Sequence, residues 1–266
     1  MLTVETFDTL AQAASAMTPQ SRYLGGGTLV MRGVNYGDQS FQRIVRVKDR
    51  SLREIRSEGG RIVIGAGATM ANVMAASETA FLANVARLVG GPAVRNMATV
   101  GGNLFAEHPY GDFTTALLAL DATVRLSDGS EQPIESFLSS RSSMRGLVAS
   151  VSVPRPMGDE FRFRKVSRVK PKGVSVMSIA VWLPRQGGRI SQARIAFGAM
   201  GATPLRAKSA EQALDGVNLD AQGIERALSV ATTGLNPTDD SLASAWYRNE
   251  VAPVHLRRVL LGEGSR

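Results

Sequence analysis

Thr99-Val100-Gly101-Gly102-Asn103, then Pro109-Tyr110-Gly111-Asp112, then Leu117-Leu118-Ala119-Leu120-Asp121-Ala122 follow one another in a single short stretch of the chain. The paired glycines permit backbone conformations closed to other residues and leave no β-carbon in the path of a ligand. The apolar run after Gly111 predicts a helix over 112–120 with Asp112 near its start, and 122–126 reads as the strand that follows. A glycine turn, a polar connection and a helix opening on a carboxylate form a unit suited to holding a polar ligand.

Upstream lies a second glycine run, Tyr23-Leu24-Gly25-Gly26-Gly27-Thr28-Leu29-Val30, after a short strand predicted over 22–24. Successive N–H groups of such a loop converge on an anion, and a helix beginning just beyond adds its positive end. Two loops of this kind suit a pyrophosphate gripped from both sides. Two tight turns with no ligand are the other reading. Two further nucleotide motifs fail. Ile64-Gly65-Ala66-Gly67-Ala68-Thr69-Met70 approaches the dinucleotide fingerprint, but Met70 fills its third small position. No G-x-x-x-x-G-K-[ST] loop is present.

The remaining pattern is α+β. Helices are expected over 7–17 with Asp8 as N-cap, 70–76 and 81–89, with Gly90-Gly91-Pro92 breaking the last. Strands are expected over 43–47, 61–64 and 147–153, with a polar loop around Asp128-Gly129 before the last of them. After the boundary at Pro154-Arg155-Pro156, strands over 161–169, 174–183 and 190–199 predict an antiparallel meander that turns at Gln186-Gly187-Gly188. Helices over 207–214, 221–232 and 241–261 complete the chain.

Composition narrows the chemistry. The 266 residues carry a net charge of +8, with 44% hydrophobic and 20% charged residues, as expected of a globular chain of one or two domains, with three small ones possible. No apolar run is long enough to span a bilayer, and the first residues lack the basic and apolar regions of a secretory signal. With no cysteine and only His108 and His255 for imidazole, disulfides, thiolate catalysis, Cys-held zinc and iron–sulfur ligation by this chain are excluded. Difficult chemistry therefore falls to a bound cofactor. Seven basic residues against two acidic ones crowd 155–172. They read either as a nucleic-acid surface or as a solvated strand or partner face.

The order of these motifs, with Gly90-Gly91-Pro92-Ala93-Val94-Arg95-Asn96 between the two glycine runs, closely resembles one family over nearly the whole chain. It is the FAD-binding medium subunit of the molybdenum hydroxylases, the xanthine dehydrogenase and aerobic carbon monoxide dehydrogenase group. The resemblance implies a two-subdomain PCMH-type FAD-binding fold, here 1–56 and 57–157, and a small C-terminal domain over 158–266 with a three-stranded antiparallel sheet and helices. It implies a cytoplasmic oxidoreductase complex, a heterotrimer or a dimer of heterotrimers. A large subunit would carry the molybdenum cofactor and the substrate, an aromatic heterocycle, an aldehyde or carbon monoxide. A small subunit would carry two [2Fe–2S] clusters, and FAD on this chain would pass electrons to the final acceptor. The missing cysteines agree with that division.

Carried over residue by residue, the resemblance implies that Leu24, Gly25, Gly26, Gly27, Thr28, Leu29 and Val30 wrap the pyrophosphate. Thr99 and Asn103 would bond the phosphates or their own loop, with Val100, Gly101 and Gly102 letting the backbone approach. Asp112 would bond a ribose hydroxyl, since a carboxylate accepts from two hydroxyls; helix capping alone is its other reading. Val89 is placed either near the isoalloxazine or in the core. His108 and Tyr110 would shape access to the ring, and no residue of this chain is expected to act as a catalyst or hold a metal. One departure stands out. Where some members carry a lysine on the strand after Arg168, this chain has Ser175, and Lys172 is the nearest substitute. The competing readings are a stand-alone FAD-dependent oxidoreductase of the same fold type and a nucleic-acid-binding protein. The low aromatic content of 6% and the lack of a nucleic-acid motif weigh against the second.

Overall fold

The computed structural model describes residues 2–144, 146–169 and 173–263. They form two compact units: Met1–Ala106 with Ala122–Val153, and Glu107–Asp121 with Pro154–Arg266. Helix Asp112–Ala119 thus belongs to the second unit, although the strands on either side of it in sequence belong to the first.

The first unit holds two sheets. In the smaller, Arg43–Val47 lies between Thr3–Phe7 and Ser21–Tyr23, all parallel. Thr3–Phe7 is a strand that the sequence pattern did not suggest, and the helix expected over 7–17 spans only Leu10–Ser15. Its N-cap is Thr9 rather than Asp8: Thr9 accepts from the Gln12 amide while the Gln12 side chain accepts from the Thr9 N–H, which satisfies two orphan donors at once. Leu10 and Ala13 pack on Val45 and Leu147.

The larger sheet runs Ile55–Glu58, Arg61–Gly65, Val148–Pro154, Thr123–Leu126, Glu131–Pro133. The stretch expected to be a polar loop contains real structure. Asp128 accepts from the Ser130 amide at 2.9 Å, Gly129 takes φ +85°, and strand Glu131–Pro133 and helix Ile134–Ser140 follow. Helix Met70–Ala75 starts at a second reciprocal cap, Thr69 with Asn72, and buries Met70 and Val73.

In the second unit the expected meander is a four-stranded antiparallel sheet ordered Leu205–Arg206, Arg194–Gly198, Met177–Trp182, Phe161–Val166. Gly187 and Gly188, both at positive φ, turn a separate two-residue hairpin within the connection. Met177, Ile179 and Val181 share one face, where they join Ile195, Phe197 and residues of helices Lys208–Leu214, Glu225–Ser229 and Ala245–Leu260 in a common core. The strand period of two turns Ser178 and Ala180 to the opposite face, where helix Asp112–Ala119 packs.

Small residues let that helix approach closely. A β-carbon on Gly198 would lie 2.3 Å from Ser178 Oγ and 2.5 Å from Thr115 Oγ1. The basic stretch is in part a helix cap. Arg162 donates to the Val259 and Leu260 carbonyls at the end of helix Ala245–Leu260, and Arg164 to Glu263 O at 3.0 Å just beyond it, adding partners where the helix's own amides run out.

Candidate functional site

The two glycine runs meet within the first unit. Gly26 lies so close to the other run that a β-carbon there would sit 1.7 Å from the Met97 carbonyl oxygen, and one on Gly25 would sit 2.8 Å from Thr99 Oγ1. Gly27 takes φ +71° and ends the loop against the side chains of Leu24 and Met31. Leu24 is fixed by its amide donating to Val45 O at 2.7 Å, and beyond the turn at Thr28 and Leu29, Val30 opens helix Val30–Asn35. The N–H groups of Gly25, Gly26, Gly27 and Thr28 meet no backbone carbonyl among the described residues. Such a row of amides, three of them on glycines that carry no β-carbon, has the chemistry to receive an anion.

The second run is built differently. It is not a loop but the first turn of helix Val100–Leu104, with Thr99 as N-cap. Its amides are already engaged. Val100 donates to Ala68 O and Gly101 to Ala66 O, both at 2.8 Å, Gly102 to Thr99 Oγ1 at 3.1 Å and Asn103 to Thr99 O at 3.0 Å. The buried Asn103 side chain donates to Thr99 O at 2.9 Å. Of the two uses open to Thr99 and Asn103, the structure displays bonds to their own turn.

The rejected dinucleotide motif has a structural purpose here. Gly65 lies against the Leu52 carbonyl, and Ala66 and Ala68 form the bed on which Gly101 docks, since a β-carbon on Gly101 would come within 2.9 Å of Ala66 Cβ. Gly102 is exposed, and a β-carbon there would meet only Thr99 Oγ1, at 3.0 Å. Gly101 is thus needed for packing, whereas Gly102 leaves the outer surface of the turn bare. Val89 is half-buried just past helix Ala83–Arg87, its amide on Ala86 O.

Asp112 belongs to the second unit and is buried, with 7% of its surface exposed. It is the first residue of helix Asp112–Ala119, with Gly111 at the N-cap position. Asp112 Oδ1 accepts from Ser175 Oγ at 2.6 Å, and Oδ2 lies 2.9 Å from Lys165 Nζ. The sequence reading missed Lys165. Its signal was the period of Phe161-Arg162-Phe163-Arg164-Lys165: the lysine shares a strand face with two phenylalanines, and a lysine on a buried face needs a partner. Lys172, the expected substitute, lies outside the described residues.

His108 also sits in the second unit, with Nε2 2.5 Å from Asp240 Oδ2. Asp240 is bound in turn by Arg248 at 2.7 Å, and the buried Arg248 donates further to the carbonyls of Val176, Thr238 and Ala243. Burial alone would raise the Asp240 pKa. Hydrogen bonds from the Ala243 and Leu242 amides, His108 and Arg248 outweigh it and hold the carboxyl at about 2. No group of three or more His, Asp or Glu able to hold a metal ion occurs among the described residues.

The sequence pattern of the FAD-binding domain in molybdopterin dehydrogenase matches residues 1–156, and that of the CO dehydrogenase flavoprotein C-terminal domain matches 162–262. The chain is 28% identical over 192 residues to the glyceraldehyde dehydrogenase medium chain of Sulfolobus acidocaldarius, covering 70% of this chain and 68% of the other. It is 26% identical over 270 residues to the carbon monoxide dehydrogenase medium chain of Afipia carboxidovorans, covering 94% and 92%. The solved carbon monoxide dehydrogenase of Hydrogenophaga pseudoflava contains a chain of the same fold, with a TM-score of 0.88 at 23% identity over 97% of this chain and 96% of that one. By these matches the chain belongs to the FAD-binding medium-subunit family of the molybdenum hydroxylases, oxidoreductases of the xanthine and carbon monoxide dehydrogenase type.

Proposed function

We propose that this chain is the FAD-binding electron-transfer subunit of a heterotrimeric molybdenum-containing hydroxylase or dehydrogenase in the cytoplasm. It receives electrons from [2Fe–2S] clusters on a small partner subunit, while a large partner subunit holds the molybdenum cofactor and the substrate. The chain's lack of cysteine supports this division, because thiolates hold such clusters. Among the described residues no helix is long and apolar enough to cross a membrane.

The observation that carries the reading is the row of N–H groups from Gly25 to Thr28, set against Thr99 and without backbone carbonyl partners among the described residues. These amides suit the pyrophosphate of FAD, with Leu24, Leu29 and Val30 fixing the ends of the loop. Thr99, Val100, Gly101, Gly102 and Asn103 form the rigid wall behind it, the bare surface of Gly102 giving the ligand room. Asp112 offers a ribose diol two acceptor oxygens. Val89 and Lys172 complete the contacts assigned to the cofactor. When bound, the flavin supplies the redox chemistry, accepting electrons and releasing them to an external acceptor. The protein's own part is to bind and orient the dinucleotide.

Titration of the full chain with FAD, followed by quenching of flavin fluorescence, tests the reading. Saturation at one FAD per chain is expected. Absence of saturable binding, both for the chain alone and for the co-expressed three-subunit complex, would overturn it.

A further inference from the structure

The Asp112 cluster has more order than a helix start needs. In the sheet register Lys165 stands opposite Ser178, and Ser178 opposite Gly198. This row faces helix Asp112–Ala119, where Ser178 Oγ contacts Thr115 Oγ1 at 3.3 Å. Packing by small residues already seats the helix. A buried ion pair adds little stability over an apolar pair of the same shape, and Phe161 and Phe163 show that this strand face accepts apolar side chains. Yet Lys165 Nζ and Ser175 Oγ reach the two different oxygens of one carboxylate, with 9% of the Lys165 side chain and 8% of the Asp112 side chain exposed.

An ionised carboxylate has about four acceptor positions. Lys165 and Ser175 use one on each oxygen. They fix the plane of the group and leave each oxygen able to accept once more, the arrangement that a vicinal diol requires.

We propose that Lys165 and Ser175 are positioning residues that orient the Asp112 carboxylate toward a ribose diol of the bound dinucleotide. The proposal rests on the reading of Asp112 as a ribose contact. Lys165 and Ser175 act through Asp112 and make no step of their own.

The test is a double-mutant cycle on FAD binding by the full chain, read by flavin fluorescence. Lys165→Met is expected to weaken binding roughly tenfold or more, the scale of losing a charged hydrogen-bonding partner. Ser175→Ala, which removes one hydroxyl, is expected to weaken it less and to remain folded even where Lys165→Met does not. Lys165→Arg is expected to restore most of the affinity. In an Asp112→Asn background neither Lys165→Met nor Ser175→Ala is expected to weaken binding further. Equal losses in both backgrounds would make the residues structural and overturn the proposal. Unchanged affinity in Asp112→Asn alone would overturn instead the reading of Asp112 on which the proposal rests.

Discussion

The Met97 carbonyl oxygen lies over Gly26 at a distance that leaves no room for a side chain: a β-carbon would sit 1.7 Å from it. The obstacle is backbone, which cannot swing aside as the end of a long side chain can. Gly26→Ala therefore forces the two glycine runs apart. The expected result is a loss of about 1–3 kcal/mol of stability, the usual cost of overpacking, together with loss of FAD binding. Thermal unfolding and FAD titration of the same sample check it, and a variant matching the wild type in both would show that the loop has slack.

Gly102→Ala makes the same chemical change with the opposite balance. Gly102 sits inside helix Val100–Leu104, and its added methyl meets only Thr99 Oγ1 at 3.0 Å. Alanine is favoured over glycine in a helix by up to about 1 kcal/mol, which offsets the few tenths of an ångström by which the Thr99 cap must give, so the melting temperature should change little. FAD affinity should fall, because the methyl occupies the surface assigned to the ligand. Equal affinity in Gly102→Ala and wild type would remove Gly102 from the binding surface.

These two variants mark how far the sequence could be read. The strand at Arg43–Val47 and the helix at Asp112–Ala119 were legible because their apolar periods are undisturbed by tertiary demands. Gly101 and Gly102 read as a loop because glycine disfavours helix. The structure overrides that preference through contacts distant in sequence, the Ala66 and Ala68 carbonyls that hold the first amides. Thr3–Phe7 went unread because its pairing partner is Arg43–Val47, far along the chain. Of the candidate site, the glycine positions could be named in advance, since the lack of a side chain is a local property. For Lys165 the sequence carried only the alternation that sets it on one face with Phe161 and Phe163; its partner, Asp112, is distant in sequence and is supplied by the fold.

Acid should loosen the second unit through Asp240. Its folded pKa of about 2 lies below the ordinary value of 3.8. A depressed carboxyl contributes stability that is fully present above the unfolded value and is lost as pH falls from about 4 to about 2. The Asp240 side chain keeps 23% of its surface open to water, so the contribution is about 1–2 kcal/mol after screening. Asp240→Asn should cost about 2 kcal/mol at neutral pH, since the buried Arg248 loses an ionic partner while keeping three carbonyls. It should also flatten the acid limb of the stability profile between pH 4 and 2. An unchanged acid limb in this variant would assign the pH dependence to other carboxylates.

Stability offers a second view of the Asp112 and Lys165 pair. Lys165→Met leaves a buried carboxylate whose remaining partner is the Ser175 hydroxyl, and breaking a buried pair from one side typically costs about 3–5 kcal/mol. Replacing both charges is far cheaper, because no uncompensated ion remains. Lys165→Met should thus be the least stable member of its cycle, and Lys165→Met combined with Asp112→Asn should regain much of the loss. The prediction separates the two roles of the pair: the double variant recovers its fold while remaining unable to bind FAD as the wild type does. Chemical denaturation of the four proteins at one pH measures it, and a double variant no more stable than Lys165→Met would mean that the lysine stem, rather than its charge, holds the helix in place.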